Sequence, residues 1–271
     1  MPTTESVEFL NQELEKIEKW EKDQKGLWFW EKIGRLPFAL LDKLTPKFIQ
    51  AKIGMAIDEL GSYIQTGGQY LISEKAVFQK FNLENEIISL EQVGQLPLSQ
   101  MDEVAEELKN SRTKFAAVQG ATTGFGGIFT LAIDIPVLLS LSLKVLQEIA
   151  LSYGYDPKEK AERIFIVKCL QFASSDVVGK KAILEDLTDF ASEKKNQRMI
   201  SQLQGWREVV ITYRDNFGWK KLFQLVPIAG MIFGSIINKS SIADVAETGM
   251  MLYRKRRILE RLQQMKKPGE V

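Results

Sequence analysis

Histidine is absent from the 271-residue chain, and cysteine occurs once, as Cys169. The absence of histidine excludes His-based acid/base catalysis, Ser-His and Cys-His nucleophile pairs, and nearly all zinc and non-haem iron sites. A single cysteine excludes an intramolecular disulfide. Any catalysis therefore depends on Asp, Glu, Lys, Ser, Thr, Tyr or Arg, and the sequence predicts no metal and no cofactor.

Net charge is almost absent as well, since 36 Lys and Arg stand against 35 Asp and Glu. A chain without a strong overall field is not expected to bind nucleic acid. The balance hides an asymmetry, because residues 1–110 hold 12 basic and 19 acidic residues, whereas the remainder holds 24 and 16. The C-terminal part is the cationic one.

The first twenty residues contain neither a basic n-region nor an apolar h-region. They therefore lack the pattern of a secretory signal peptide. This favours a cytoplasmic location. The 45% apolar content is ordinary for a protein with a packed core.

Apolar residues recur at three- and four-residue spacing through most of the chain, and no convincing strand pattern interrupts them. We therefore predict an all-α fold without a sheet. The predicted helix boundaries are a start at Val7 and an end near Gly26, a start at Thr45-Pro46 and an end at Gly67-Gly68, an N-cap at Ser99, an end at Gly154, an N-cap at Asp156 with Pro157 and Glu159 following, a helix from Met199 to Tyr213, and a last cap at Ser240-Ser241.

The division that we expect places an N-terminal helical region at residues 1–98 and a helical core with a basic last helix at residues 99–271. The tract 73–98 shows no clear period and carries no helix assignment. Trp28, Phe29 and Trp30 lie in the N-terminal region beside Lys32 and Arg35, where they either fill the edge of a core or sit at a bilayer interface.

The segment GATTGFGGIFTLAIDIP at residues 120–136 is rich in glycine and contains one carboxylate, Asp134. It matches neither phosphate-binding pattern, GxGxxG after a strand or GxxxxGK[ST] before a helix. Its small residues instead form one helix face on which another backbone packs closely. The residues of this packing face and of its counterpart 110 positions later are Ala116, Gly120, Gly124 and Gly127, then Gly230 and Gly234. The sequence thus predicts two glycine-rich apolar helical hairpins.

Two tracts of the chain are free of charge, Phe115–Ile133 and 222–238. The first has 19 residues, which barely meets the ~20 that a membrane-spanning helix needs, and glycine and threonine dilute its hydrophobicity. The second contains Pro227. We expect buried hairpins, or re-entrant and interfacial segments, rather than independent spans.

Asp134 has two interpretations. It precedes Ile135-Pro136, so it is expected as the N-cap of the following helix. The alternative is a carboxylate with a raised pKa in apolar surroundings, acting as an acid, a base or a ligand anchor. Asp244, 110 positions later, and Asp156 are further ligand or structural candidates.

The last predicted helix is strongly cationic, with seven basic residues and one acid between Arg254 and Lys267. Such a run is either a solvated helix face or a surface that contacts anionic lipid at about 1 kcal/mol per basic residue. The candidates for lipid contact are Arg254, Lys255, Arg256, Arg257 and Arg261.

The segment from Ala116 to Phe165 resembles the signature of the bacterial EcsC family, in which G-x-x-T-G-x-G-G leads to T-L-x-x-D-x-P, an apolar helix and Y-G-Y-D. The matching residues are Gly120, Thr123, Gly124, Gly126, Gly127, Thr130, Leu131, Asp134 and Pro136, then Tyr153, Gly154, Tyr155 and Asp156. A second block, from Val226 to Glu260 with Asn238, is similar to the family's apolar tract and basic helix. The resemblance covers about residues 99–260.

This resemblance implies a protein associated with an ABC transporter, and it brings no assigned catalytic residues. We therefore expect a non-enzymatic accessory or regulator, peripheral at the inner face of the cell membrane, whose partners are an anionic membrane surface and a membrane protein complex. The alternative is a soluble carrier of a hydrophobic ligand, or an enzyme without histidine that uses Asp134 in a pocket between the glycine hairpins.

Overall fold

The computed structural model describes residues 5–24, 62–63, 66–67, 72–81, 89–124, 128–175, 177–188 and 227–266. Regular structure in these residues is helical, without a strand, so the prediction of an all-α fold is confirmed. In chain order the helices are α1 (Val7–Asp23), α2 (Glu74–Phe78), a 3-10 turn (Gln79–Phe81), α3 (Leu90–Gln95), α4 (Leu98–Gly124), α5 (Ile128–Ser152), α6 (Lys160–Ser174), α7 (Val177–Thr188) and α8 (Pro227–Lys266).

Helices α4 and α8 form the centre of the molecule and run antiparallel. Arg254 Nε of α8 lies 2.9 Å from Asp102 Oδ2 near the start of α4. Towards the other end, Asn238 Nδ2 lies 3.3 Å from Gln119 Oε1. As the residue number rises along α4 it therefore falls along α8, which fixes the register of the pair.

Helix α5 returns along α4 as an antiparallel partner. Two hydrogen bonds join Arg112 to the buried Glu148, one from Nε at 2.7 Å and one from Nη2 at 2.6 Å. Most side chains of α5 from Leu138 to Ser152 are buried, because α4, α6 and α8 all pack against it. A helix that is apolar on nearly every side needs such enclosure.

Helix α1 is confirmed close to its predicted limits. Ser6 caps it by accepting from Phe9 N at 3.1 Å, and the apolar seam buries Leu10 and Ile17. These two side chains belong to the same apolar core as residues of α4, α5, α6 and α8. The N-terminal helix therefore shares its core with the C-terminal helices, while the division at residue 98 stays a prediction.

Two predicted caps are wrong because the helices extend beyond them. Helix α4 begins at Leu98 after Pro97, so Ser99 lies inside it, and the amide of Leu98 donates to Glu5 Oε1 at 2.8 Å. Helix α8 runs without a break through Ser240-Ser241. There the hydroxyl of Ser241 donates to the carbonyl of Ile237 at 2.7 Å, so the serine bonds back along its own helix.

The helix after Gly154 begins later than predicted. Helix α6 starts at Lys160 with Glu159 in the N-cap position, and Glu159 makes no capping side-chain bond. Asp156 instead accepts from the amide of Lys158 at 2.9 Å, and its carbonyl accepts from the amide of Glu159. The carboxylate thus closes a turn ahead of the helix, which is a common alternative use of aspartate.

The sequence prediction leaves the tract 73–98 without a helix, but its described residues, 73–81 and 89–98, include three short helical pieces before α4. Ser73 caps α2, and Ser89 forms a capping box with Gln92 at the start of α3. The Ser-x-x-Gln spacing was the missed signal. The aromatic segment at 28–30, the helix start at Thr45-Pro46 and the helix 199–213 lie outside the described residues.

Candidate functional site

The five basic residues of α8 that were the candidates for lipid contact point into the molecule. All five predicted lipid contacts are in ion pairs, and their side chains are only 8 to 26% exposed. The pairs are Arg254 with Glu13 and Asp102, Lys255 with Glu21, Arg256 with Glu162 and Glu260, Arg257 with Glu260, and Arg261 with Glu5. Both predictions for these five side chains are therefore wrong: in this structure they face neither lipid nor bulk solvent, because they pair with carboxylates of the same chain.

The pair with the most buried carboxylate joins α8 to α6. Arg256 Nη1 donates to Glu162 Oε2 at 2.8 Å, and the hydroxyl of Tyr253 donates to Glu162 Oε1 at 2.6 Å. Burial raises the pKa of Glu162, while the charge of Arg256 and the bond from Tyr253 oppose that rise. Both carboxylate oxygens thus have a donor, which is the condition for keeping a buried charge.

The Y-G-Y-D motif, residues 153–156, packs against the same stretch of α8. The guanidinium groups of Arg256 and Arg257 lie 4.1 and 4.3 Å from the ring centre of Tyr155. Arg257 Nη2 also donates to the carbonyl of Tyr153 at 2.6 Å. The hydroxyl of Tyr153 in turn donates to Asp102 at 2.6 Å. The first three positions of this family signature therefore hold the turn after α5 against the basic helix.

Gly154 serves the same turn through its backbone. Its φ is +76°, a conformation that a side chain strains, and a Cβ there would lie 2.7 Å from Cα and N of Gly94 in α3. Glycine is thus required at position 154 for both reasons. The predicted end of the apolar helix at Gly154 is confirmed within two residues, since α5 ends at Ser152.

Helix α1 supplies acidic partners that the sequence analysis missed. Glu5, just before α1, pairs with Arg261, Glu13 with Arg254 at 2.7 Å, and Glu21 with Lys255 at 2.7 Å. Each eight-residue step turns about 80° around a helix, and Glu5 lies before α1, so this spacing does not place the three carboxylates on one face and their pairing has no clear signal in the sequence. The three pairs tie the acidic N-terminal part of the chain to its cationic C-terminal part.

The side chains around the buried Glu162, which are Tyr253, Arg256 and Cys169, form a cluster with little capacity for acid/base or nucleophilic chemistry. Burial raises the pKa of the Cys169 thiol and of the Tyr253 hydroxyl, so both keep their protons near neutral pH. Tyr253 is fully buried, and Glu162 is 3% exposed. The arrangement positions helices through charge and hydrogen bonds.

The three aspartate candidates lie on separate elements. Helix α5 begins at Ile128 and continues through position 134, so Asp134 is inside a helix and the N-cap interpretation is wrong. Asp244 is exposed on α8, and Asp156 closes the turn before α6. Gly249 of α8 packs against Leu146 of α5, and in that register Asp134 and Asp244 are roughly 10 Å apart along the helix axes.

The small-residue face is partly visible. Ala116 and Gly120 are buried on α4, and the neighbouring Gln119 contacts Asn238 of α8. The packing roles of Gly124, Gly127, Gly230 and Gly234 stay predictions. Gly230, Gly234 and Asp244 lie on one unbroken helix, whereas Gly120 and Asp134 lie on two helices, so the 110-residue spacing does not relate two equivalent hairpins.

One end of the bundle exposes apolar side chains. Four of the six large apolar side chains that are exposed in the described residues lie there: Phe115 is 55% exposed, Val118 66%, Ile236 57% and Val137 36%, while the other two, Val7 and Phe9, lie at the start of α1. All four lie towards the C-terminal end of α4 or the N-terminal ends of α5 and α8, which the antiparallel packing brings together. Within the described helices, no segment has the length and hydrophobicity required to traverse a bilayer.

Comparison with known proteins places these features in one family. The profile of the EcsC protein family matches residues 11–258. The chain is 61% identical over the full length of both proteins to the uncharacterized protein YdbA of Bacillus subtilis (strain 168). It is also 36% identical to Protein EcsC of the same organism, over 61% of this chain and 67% of that protein. No solved structure matches the chain.

Proposed function

Because the chain belongs to the EcsC family, we propose that it is a non-enzymatic accessory or regulatory protein of a bacterial ABC-transporter system, held peripherally at the inner face of the cell membrane. The family resemblance supports the association with a transporter. The observation that carries the membrane attachment is the set of exposed apolar side chains at one end of the bundle. Exposed apolar patches on a soluble fold typically mark a protein or membrane contact.

The attachment that we propose is partial insertion rather than a span. The exposed residues of α4 lie within about ten residues of its end at Gly124, which corresponds to roughly 15 Å of helix. A hydrocarbon core of about 30 Å needs twice that length. Insertion of the end of a bundle into one leaflet fits these dimensions.

The buried cluster around Glu162 gives no support to the enzyme alternative. Its thiol and phenol are protonated and enclosed, and its carboxylate is occupied by two donors. A ligand role for Asp134 stays a separate prediction, since it does not involve that cluster.

Membrane fractionation of the native host tests the proposal. We expect the protein in the membrane pellet after a high-salt wash and in the supernatant after carbonate extraction, because the attachment has an apolar part but no span. Cross-linking in intact cells, followed by purification of the protein, should also recover subunits of an ABC transporter. Quantitative recovery in the soluble fraction, with no cross-linked transporter subunit, would contradict the proposal.

A further inference from the structure

The exposed apolar residues share their helix faces with lysines that lie one or two turns farther from the end. On α4, Lys114 precedes Val118 by four residues. On α5, Lys144 follows Val137 by seven, and on α8, Lys239 follows Ile236 by three. Spacings of three, four and seven place two side chains on the same side of a helix.

These lysines also lie at one level of the bundle. The contact of Gln119 with Asn238 sets Lys239 opposite about position 118 of α4. The pair of Arg112 with Glu148 sets Lys144 opposite about position 116. With Lys114 on α4 itself, the three lysines fall within roughly 6 Å along the bundle axis.

Between these lysines and the end of the bundle the sequence is almost free of charge. Asp134 is the single charged residue between Lys114 and Lys144, and none occurs between Lys221 and Lys239. Lys114 and Lys239 are exposed and Lys144 is half-buried. None of the three is ion-paired with a residue that the structure describes, in contrast to the five paired cations farther along α8.

We infer that Lys114, Lys144 and Lys239 form a collar that binds the anionic headgroups of a lipid bilayer while the apolar end of the bundle inserts below them. The apolar end comprises residues 115–124 of α4, 128–137 of α5 and 227–238 of α8, of which 115–118 lie at the level of the lysines and most of the others below it. This inference rests on the proposed membrane attachment. It adds which surface of the protein binds, how the bundle is oriented on the bilayer and which class of lipid it binds. Lysine suits the position because its long stem lies along apolar surface while its ammonium reaches the phosphates.

The choice of lipid over a protein partner follows from charge complementarity. Three cations at one level around an apolar end match the layered arrangement of a bilayer, in which anionic phosphates lie directly above hydrocarbon. The basic cluster of Arg254 to Arg257 does not compete for this role, because its side chains are paired within the molecule.

Vesicle sedimentation tests the collar. Wild-type protein should bind vesicles of phosphatidylcholine mixed with phosphatidylglycerol more tightly than phosphatidylcholine alone. The triple variant K114Q/K144Q/K239Q should lose most of this preference, because each lysine is expected to raise the affinity for anionic vesicles roughly five-fold. The matched control K75Q/K160Q/K266Q removes three exposed lysines elsewhere in the fold and should bind nearly as the wild type does.

A second pair of variants tests insertion. F115S/V118S changes two exposed side chains, so it should keep the melting temperature of the wild type and lose the binding that resists high salt. An environment-sensitive dye on V118C should shift to the blue with anionic vesicles, whereas the same dye on Q264C, an exposed site at the far end of α8, should not. Cys169 is fully buried and does not compete for the dye.

The outcomes separate this inference from the proposed function. Equal binding of anionic vesicles by the wild type, the lysine variant and F115S/V118S would overturn the collar. Recovery in native membranes without binding to any lipid vesicle would also overturn it, in favour of a membrane protein as the partner, and would leave the proposed function standing. Absence from native membranes would instead remove the proposed function on which it rests.

Discussion

Arg256 of α8 and Glu162 of α6 form a 2.8 Å ion pair across 94 residues of sequence, with the Glu162 side chain only 4% exposed. The guanidinium also lies over the rings of Tyr155 and Phe165, at 4.1 and 5.1 Å. One side chain of the basic run thus neutralises a buried carboxylate and covers two aromatic rings. Such an interaction holds helices together and is not available to an external partner.

We therefore expect Arg256→Gln to destabilise the fold by about 3 kcal/mol or more, because it leaves the Glu162 carboxylate buried without its cation. Urea unfolding measures this loss. Lys266→Gln removes an exposed cation from the same helix and should change the stability by less than about 0.5 kcal/mol.

The double variant Arg256→Gln with Glu162→Gln separates charge from packing. It should be more stable than Arg256→Gln alone, since no uncompensated charge remains and the amide oxygen still accepts from Tyr253. Equal stabilities of Arg256→Gln and the wild type would show that the pair is not a structural element.

Gly154→Ala should cost more than about 2 kcal/mol, because a left-handed residue with a Cβ is strained and that Cβ would meet the backbone of Gly94 at 2.7 Å. Thermal unfolding followed by circular dichroism measures the effect. Gly94→Ala is the matched control, since its Cβ would lie 3.5 Å from the Arg257 guanidinium in ordinary contact, and it should be nearly neutral. A Gly154→Ala variant that melts with the wild type would contradict this account of the motif.

The docking of α1 should weaken in acid. Burial acts to raise the pKa of Glu13, but the bonds and charges of Lys16 and Arg254 outweigh it, so the pKa lies below the ordinary 4.5. A lowered carboxyl pKa gives stability that is present above the unfolded value and is lost as the pH falls through the folded value.

Hydrogen exchange of α1 at neutral pH and near pH 4 checks this prediction. Protection of α1 should fall in acid for the wild type, and Glu13→Gln should show the weaker protection already at neutral pH with a smaller further loss. Glu18→Gln, an exposed position on the same helix, should behave as the wild type does. Identical acid losses in Glu13→Gln and the wild type would exclude Glu13 as a source of the pH dependence.

The sequence predicted local features well and distant pairings poorly. The limits of α1 and the stop at Gly154 follow from periodicity, caps and glycine, all of which act within a few residues. The ion pairs of the basic residues in α8 do not follow from such local signals, because their partners are far away in the chain. Arg261, for example, pairs with Glu5 across 256 residues. The charge pattern of one helix does not show whether that helix faces water, lipid or the carboxylates of another helix.

Helix boundaries failed where tertiary packing overrides a local signal. Ser240-Ser241 has the composition of a cap, yet α8 continues through it with both Ile242 and Ser241 buried. Asp156-Pro157 likewise has the residues of a helix start, but the buried Tyr155 ring packs against the guanidinium groups of Arg256 and Arg257 and the chain makes a turn first. Burial of the neighbouring side chains decided both cases, and burial is not visible in a short window of sequence.

Asp134 provides the last test, because its position in α5 changes what a substitution should do. An N-cap would lose ~0.5 to 2 kcal/mol on Asp134→Ala and little on Asp134→Asn. Inside a helix, alanine is the better helix former by up to about 0.7 kcal/mol, so neither variant should show the loss of a cap. Thermal unfolding of both variants decides this point. With capping removed as its reason, we expect the carboxylate to serve a ligand or partner, so Asp134→Asn should be folded and yet fail to recover transporter subunits after cross-linking. Wild-type recovery by a stable Asn variant would contradict that role, and a cap-sized loss in Asp134→Ala alone would contradict the helical placement.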